Sequence, residues 1–542
     1  SNHGYDTTDY LHISPRYGDN ALFAQLNAEA EARGIKIILD GVFNHTGSDS
    51  VYFDRYGRWD ANGNPTTASN NSGACENQSS SYNAFYTFLA GVGPCAGRTD
   101  GNQNYDSWWG YDTLPLLNEN TAVTDYIFDS ANDDVSPTAV IQYWYSLGAD
   151  GWRFDVADEI SHSFWTQFRA QVKNNDALNG PLYSEVWYEA IPWLYGDQLD
   201  ATMNYRYRKA VLGFLIDATW TDNDNNGDQT MYALSPSEFD YVLGSIREDY
   251  PAEAWYAMMN LMDSHDTNRA LFVLREQSTD LPNALAKMKM MAALQFTYPG
   301  APTIYFGDEV GLGARDYGGY AAWGAGKWDG TAVQDDPYNR QSYPWPDQSG
   351  SLPAGLPNTD LQATYRTLAL TRNNYDVLRT GDVTTLLTDD TNKIYAYART
   401  DASAPACAIA IFNRGTSTQN VTLTNLPAAC AGTLEDVLNG GADWTIGGGS
   451  LTVNNLAGLS SAVLVPAFDN TNTDDTTASL PPVSTAVSAA ASQVAANGST
   501  SIAAVVRDTA GQTLPAGVTV NFAVISGGGT VDATAVTNAA GT

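Results

Sequence analysis

The run Gly151-Trp152-Arg153-Phe154-Asp155-Val156-Ala157-Asp158-Glu159 decides how the rest of the chain is read. The preceding Ala149-Asp150 and the first residues of the run make a strand-length segment, mostly apolar, that ends on a carboxylate. Arg153 and Asp155 lie two apart, so on a strand both point to one face. A buried strand that delivers both to the rim of a sheet creates a paired charge site. Taken alone, the pair reads equally well as a structural ion pair at a sheet end.

The surroundings repeat the pattern. Residues 20–33 predict an amphipathic helix with Leu22, Phe23, Leu26 and Ala30 on one face, stopped by Gly34. A strand-length run at 35–40 follows, closed by Asp40-Gly41-Val42-Phe43-Asn44-His45. Residues 46–118 are rich in Asn, Ser, Gly and Asp and read as a long inserted excursion. The rhythm then resumes, with helices near 136–147, 162–174, 236–249 and 281–296 and strands at 150–155, 182–186, 199–203, 257–262 and 302–306. Helix and strand units with polar residues at strand C-termini imply an α/β fold, a (β/α)₈ TIM barrel whose site lies at that face. Only six barrel strands are countable, so the first two are expected before Ser1, in a barrel truncated at its N-terminus. Residues 360–379 read as a closing helix, 380–466 as a C-terminal β-sandwich and 467–486 as a linker. Residues 487–542, with Val518–Ile525 as one strand, read as a truncated Ig-like module. The expected domains are thus 1–45 with 119–379 (barrel), 46–118 (insertion), 380–466 and 487–542.

Charge and cysteines bound the function. With 27 Lys and Arg against 61 Asp and Glu, the net charge of −34 repels nucleic acid and anionic membranes. No apolar run is long enough to span a bilayer, and no signal peptide is visible. The 14 Trp and 31 Tyr suit sugar rings and protein cores equally. Cys75 with Cys95 and Cys407 with Cys430 form two local pairs, which suggest two disulfides and an extracellular location, against four free thiols.

Asp40, Asp155, Glu185 and Asp266 all sit at or just past expected strand ends. Two carboxylates flanking an acetal can hydrolyse it: one attacks the anomeric carbon, the other donates a proton to the leaving oxygen. Arg153 would orient the nucleophile, and His45 and His265 can hydrogen-bond hydroxyls.

Four motifs in order carry a resemblance: Asp40-Gly-Val-Phe-Asn-His45, Gly151-Trp-Arg-Phe-Asp155, Glu185-Val-Trp187 and Asn260-Leu-Met-Asp-Ser-His-Asp266. Over roughly residues 1–466 the chain resembles the α-amylase superfamily of glycoside hydrolases. The resemblance implies Asp155 as nucleophile, Glu185 as acid/base and Asp266 as transition-state stabiliser. It places Arg153, His45, His265 and Tyr5 at the sugar subsite, with Asp40 in support. Ser1–Tyr10, Leu114–Asn118, Asp197–Tyr205 and Asp336–Arg340 look like the neopullulanase and amylopullulanase branch, which cleaves α-1,4 and often α-1,6 links in starch, pullulan or cyclodextrins. A glucan transglycosylase on the same scaffold, or a glucan-binding or adhesion protein with an Ig-like tail for the cell surface, are the alternatives.

The chemistry requires no cofactor, but calcium is a possible ligand. Asn44 and Asn118 match superfamily calcium positions by resemblance. Separately, Asp222, Asp224, Asn226, Gly227 and Asp228 follow the first half of a calcium loop, against a plain Asp/Asn turn; position twelve is Ala233, not Glu. Trp144, Trp165, Met288, Met290 and Met291 read as core, and His162 as a helix start. Trp108, Trp109 and Trp187 flank the motifs and read as glucose-stacking or packing residues.

Overall fold

The computed structural model describes residues 4–60, 62–67, 72–89, 95, 104–129, 139–174, 178–222, 229–313, 339–345, 352, 355–401 and 406–466, with four strands beyond them given as backbone. The chain divides into two compact units, Ser1–Arg206 with Arg247–Met259, and Tyr207–Ile246 with Asn260–Thr542.

In the first unit the chain runs α1 (Asn20–Glu31), β1 (Ile38–Gly41), α2 (Thr121–Phe128), α3 (Val140–Ser146), β2 (Gly151–Phe154), α4 (His162–Lys173), β3 (Leu182–Ser184) and β4 (Ala201–Thr202). The four strands lie in chain order in one parallel sheet, with Asp40 opposite Arg153 and Phe154 opposite Ser184. Side chains on both faces of β2 are buried, so that strand does not alternate, whereas β1 leaves Ile38 and Asp40 exposed. Phe43, Trp152, Phe154, Trp165 and Phe168 form a continuous aromatic core behind β2. Local chemistry starts the helices: Asp19, Asn120 and Ser161 each accept a first-turn backbone N–H, from Leu22, Val123 and Phe164. Gly34 follows α1 at φ +72°, where a side chain would be strained.

The buried stripe of α1 differs from expectation. Phe23, Asn27 and Ala30 are buried, while Leu22 and Leu26 are 51% and 56% exposed. The docking partners explain it: Phe23 meets the edge of Trp144, and Asn27 donates to the Leu147 carbonyl. Apolar spacing alone did not reveal that an Asn joins the inward face.

The insertion leaves and returns at one place. Thr46 N–H donates to the Pro115 carbonyl, and Leu117 N–H to that of Asn44. It is held by a Phe53, Tyr86 and Tyr105 cluster, a buried Arg55–Asp112 ion pair at 2.8 Å and the Cys75–Cys95 disulfide.

In the second unit the expected strands at 257–262 and 302–306 shorten to the neighbours Met259–Leu261 and Ala301–Thr303. The closing helix is broken: Thr359–Asn374 and Asp376–Thr380 meet at an extended Tyr375. Helices Tyr205–Leu215 and Ala270–Glu276 are additional. The expected β-rich segment is a six-stranded antiparallel sheet plus the pair Gln419–Leu423 and Leu451–Leu456. Strand Ile394–Asp401 alternates with period two. Ile394, Ala396 and Ala398 enter the β-domain core beside the Cys407–Cys430 disulfide. Tyr397 and Arg399 face the helix Leu281–Thr297: Tyr397 bonds the Thr297 hydroxyl and Arg399 the Thr297 carbonyl. Met288, Met290 and Met291 are core, as expected.

The expected Ig-like region lies mostly outside the described residues. The strand pairs Ser484–Ala489 with Ile502–Arg507 and Thr519–Asn521 with Thr534–Val536 are antiparallel. Among the described residues, no helix is long and apolar enough to cross a membrane.

Two buried guanidiniums hold the C-terminal end of the helix Leu281–Thr297. Arg372 donates to the carbonyls of Phe296, Tyr298, Gly300 and Leu378, and Arg399 to Thr297, Leu378 and Gly381. Carbonyls past a helix end lack intrahelical donors and carry partial negative charge, which a cation satisfies. Burial, then the neighbouring Arg399, lowers the Arg372 pKa to about 10. Arg372→Ala strands several buried carbonyls and is expected to cost ~3 kcal/mol or more, read as loss of Tm; a change within the noise would contradict this role.

Candidate active site

The register of β1 against β2 brings Asp40 beside Arg153, and one guanidinium then gathers three carboxylates. Arg153 Nη1 lies 2.8 and 2.7 Å from the two Asp40 oxygens and 3.3 Å from Asp155 Oδ1. Arg153 Nη2 is 2.9 Å from Glu185 Oε2, and Nε donates to Met203 Sδ at 3.4 Å. The Tyr5 ring lies 5.7 Å from the guanidinium carbon, and its hydroxyl donates to Asp40 Oδ2 at 2.8 Å. Burial alone would lower the Arg153 pKa; Asp40, Glu185, Tyr5 and Asp155 reverse that and hold it well above its usual value. Burial, then the Asp40 charge, pushes the Tyr5 hydroxyl well up.

The strand ladder continues one residue past each strand and fixes the two central carboxylates. Asp155 N–H donates to the Gly41 carbonyl, and Glu185 N–H to that of Phe154. Val156 then adopts φ +40°, a left-handed conformation costly for a β-branched residue, and its N–H reaches Glu185 Oε2 at 3.1 Å. Trp187 N–H donates to Glu185 Oε1 at 3.1 Å, while its ring lies flat on Tyr205 at 3.8 Å. Trp187 therefore orients Glu185. Asp155 and Glu185 are both buried, on different nitrogens of one arginine.

His45 is enclosed: its ring stacks on Trp108 at 4.9 Å, and its nitrogens contact the Tyr5 carbonyl and the Asn44 amide. Trp109 is 67% exposed, its N–H on Glu159. Ser161 caps α4, and His162 is its first residue, as expected.

In the second unit, Asp266 contacts His265 Nε2 at 2.9 Å and Arg340 Nη2 at 3.1 Å. Asn339 and Arg340 side chains both donate to the His265 carbonyl, which clamps this loop. Behind it lies a carboxyl pair that the sequence reading did not single out. Asp263 and Asp308, 1% and 2% exposed, hydrogen-bond each other beside the fully buried Arg269. Burial, then the Asp263 charge, drives the Asp308 pKa well up, and burial raises that of Asp263. Asp263 Oδ2 accepts the Ala270 N–H and anchors the following helix.

The calcium candidates fare differently. Asn118 accepts from Thr87 and donates to the Ala84 carbonyl, and Asn44 Nδ2 is on His45. Asp224, Asn226 and Asp228 lie outside the described residues, and Asp222 is described only as backbone paired with Gln229. Among the described residues no group of three or more His, Cys, Asp or Glu is placed to hold a metal.

Parallel helix–strand units with acidic side chains at their strand C-termini, two of them on one arginine, define a class: βα-fold enzymes that work through paired carboxylates. A family model for the α-amylase catalytic domain matches residues 1–376, and the chain belongs to that glycoside hydrolase family. An amylopullulanase from Thermoanaerobacterium saccharolyticum is 34% identical over 492 residues, 86% of this chain and 34% of that protein. Neopullulanase 2 from Thermoactinomyces vulgaris is 31% identical, over 81% of this chain and 62% of its own length. A cyclomaltodextrinase structure matches with TM-score 0.65 and 29% identity, covering 86% of this chain and 66% of that one. The chain spans about a third or less of the length of the amylopullulanases it matches. The shared fold is a (β/α)₈ barrel with a C-terminal β-sheet domain.

Two predictions follow from these clusters. Arg153→Lys keeps the charge but loses the planar fork, and kcat/KM on maltodextrin is expected to fall roughly 100-fold or more; near-parental turnover would contradict the hub. The second concerns pH. A carboxyl raised above its unfolded value, about 3.9, stabilises fully below that pH, and the contribution is lost as pH rises through the folded value. Asp308→Asn keeps a neutral partner for Asp263 and removes that loss. Its melting curve should rise above the parent's as pH increases; parallel curves across pH would contradict a raised Asp308 pKa.

Proposed function

We propose that the chain is a retaining α-glucan hydrolase that cleaves α-1,4, and also α-1,6, glucosidic bonds of starch, pullulan or maltodextrins. The observation that carries the reading is the placement of Asp155 and Glu185 on two nitrogens of Arg153. Retaining chemistry needs two carboxyl groups about 5 Å apart, close enough for direct attack. Asp155 attacks the anomeric carbon and forms a covalent glycosyl ester. Glu185 gives its proton to the leaving oxygen, then takes one from the water that opens the ester. The three contacts on Glu185 are all donors, two on Oε2 and one on Oε1, so Oε1 keeps a position from which to face the glycosidic oxygen. By the resemblance, Asp266, with His265 and Arg340, would take sugar hydroxyls in the second unit, and Tyr5 and His45 would shape a subsite in the first. The mechanism draws on no metal.

The names of the relatives, amylopullulanase and neopullulanase among them, support the substrate class. We further propose that residues 1–45 and 119–379 form the catalytic domain, 46–118 its insertion, and 380–466 a β-sandwich, with an Ig-like spacer from 487. Two disulfides support a secreted protein.

Glu185→Gln should lower kcat on starch roughly 10²–10⁴-fold; unchanged hydrolysis would remove the acid/base assignment. Chromatography of a pullulan digest reads the linkage: maltotriose reports α-1,6 cleavage and panose α-1,4. An intact polymer would contradict the substrate proposal.

A further inference from the structure

Far along the chain from these motifs, the second unit holds a polar cavity of about 630 Å³. Its walls come from the segment after the helix Ala270–Glu276, from the helix Leu281–Thr297 and from turns of the β-domain. Three cations converge there: Lys287, Lys393 and Arg414. The chain has only 27 Lys and Arg in 542 residues and a net charge of −34, so such a meeting needs a reason.

The local anion is insufficient. Asp217 lies 3.0 Å from Lys287 Nζ and 3.9 Å from each of the other two cations, but its side chain is 57% exposed. Solvent screens a carboxylate so placed. Glu276 also lines the cavity, which leaves three positive charges against two negative. Lys287 and Arg414 are 2% and 8% exposed. Burial lowers the pKa of both and Asp217 raises it, while at Lys287 the charges of Arg414 and Lys393 lower it again. The cations therefore repel one another across the cavity. Arg414 donates one nitrogen to the Ile216 carbonyl, while its buried Nε has no hydrogen-bond partner. No aromatic ring lines the cavity, so it lacks the flat surface that sugars use.

We propose that this cavity binds a small oxyanion of the phosphate or sulfate class, held by Arg414, Lys287 and Lys393. Hydroxyls of Thr416 and Ser417 and the Asn392 amide in the same walls supply neutral donors. The bound anion would join the helix Leu281–Thr297 to the β-domain turns within this unit.

Inorganic phosphate titrated into the full chain, at constant ionic strength set with sodium chloride, is the test. Calorimetry should show one saturable site, and Tm should rise with phosphate. Lys393 sits at φ +59°, a conformation that Asn tolerates, so Lys393→Asn removes a charge without backbone strain. It should weaken phosphate binding roughly tenfold. Asp217→Asn removes the competing carboxylate and should strengthen binding. Absence of saturable binding overturns the proposal. So does a Lys393→Asn variant that binds phosphate as the parent does, an Asp217→Asn variant that binds it more weakly, or an equal Tm rise from chloride alone.

Discussion

A single buried guanidinium holds the acidic cluster of the first unit in order. Arg153 carries Asp40, Asp155 and Glu185 at once, and without it three acidic groups would face one another at close range. Desolvating a cation costs several kcal/mol, which the surrounding carboxylates offset. The parallel register that sets Asp40 opposite Arg153 makes the contact, and ladder bonds one residue beyond each strand carry Asp155 and Glu185 to it. Position is thus determined by backbone pairing and charge together. The strained Val156 is a local cost of that arrangement, and its N–H is one of the donors on Glu185.

The second unit handles buried charge in other ways. Arg372 and Arg399 are held by carbonyls around a helix end. Asp263 and Asp308 lie together beside Arg269, where burial raises the pKa of both carboxyls and so favours their neutral forms. Each device removes an uncompensated charge from the interior, where it would cost most. The cation cluster around Asp217 stands out because no such device completes it.

Much of this was legible in the sequence, for identifiable reasons. The strand Gly151–Phe154 is mostly apolar, carries one arginine and is followed by a carboxylate, and that signature survives without coordinates. Arg153 and Asp155 share a face because strands have period two. The disulfides were legible from local pairing. Other features depend on tertiary partners. The inward turn of Asn27 follows from the Leu147 carbonyl, which lies 120 positions away. Asp263 and Asp308 are separated by 45 residues, and neither carries a local mark of burial. The role of Trp187 needed the Tyr205 ring beneath it. Arg340 stood in a quoted motif, but its contact with Asp266 needed the fold.

The central claim is that Asp155 is the nucleophile on this arginine. A slow 5-fluoro-α-glucosyl fluoride, which forms the ester faster than water opens it, tests this when followed by proteolysis and mass spectrometry. The account predicts a one-sugar adduct on the peptide that contains Asp155, absent in Asp155→Asn. A sugar carried on any other carboxylate would contradict it.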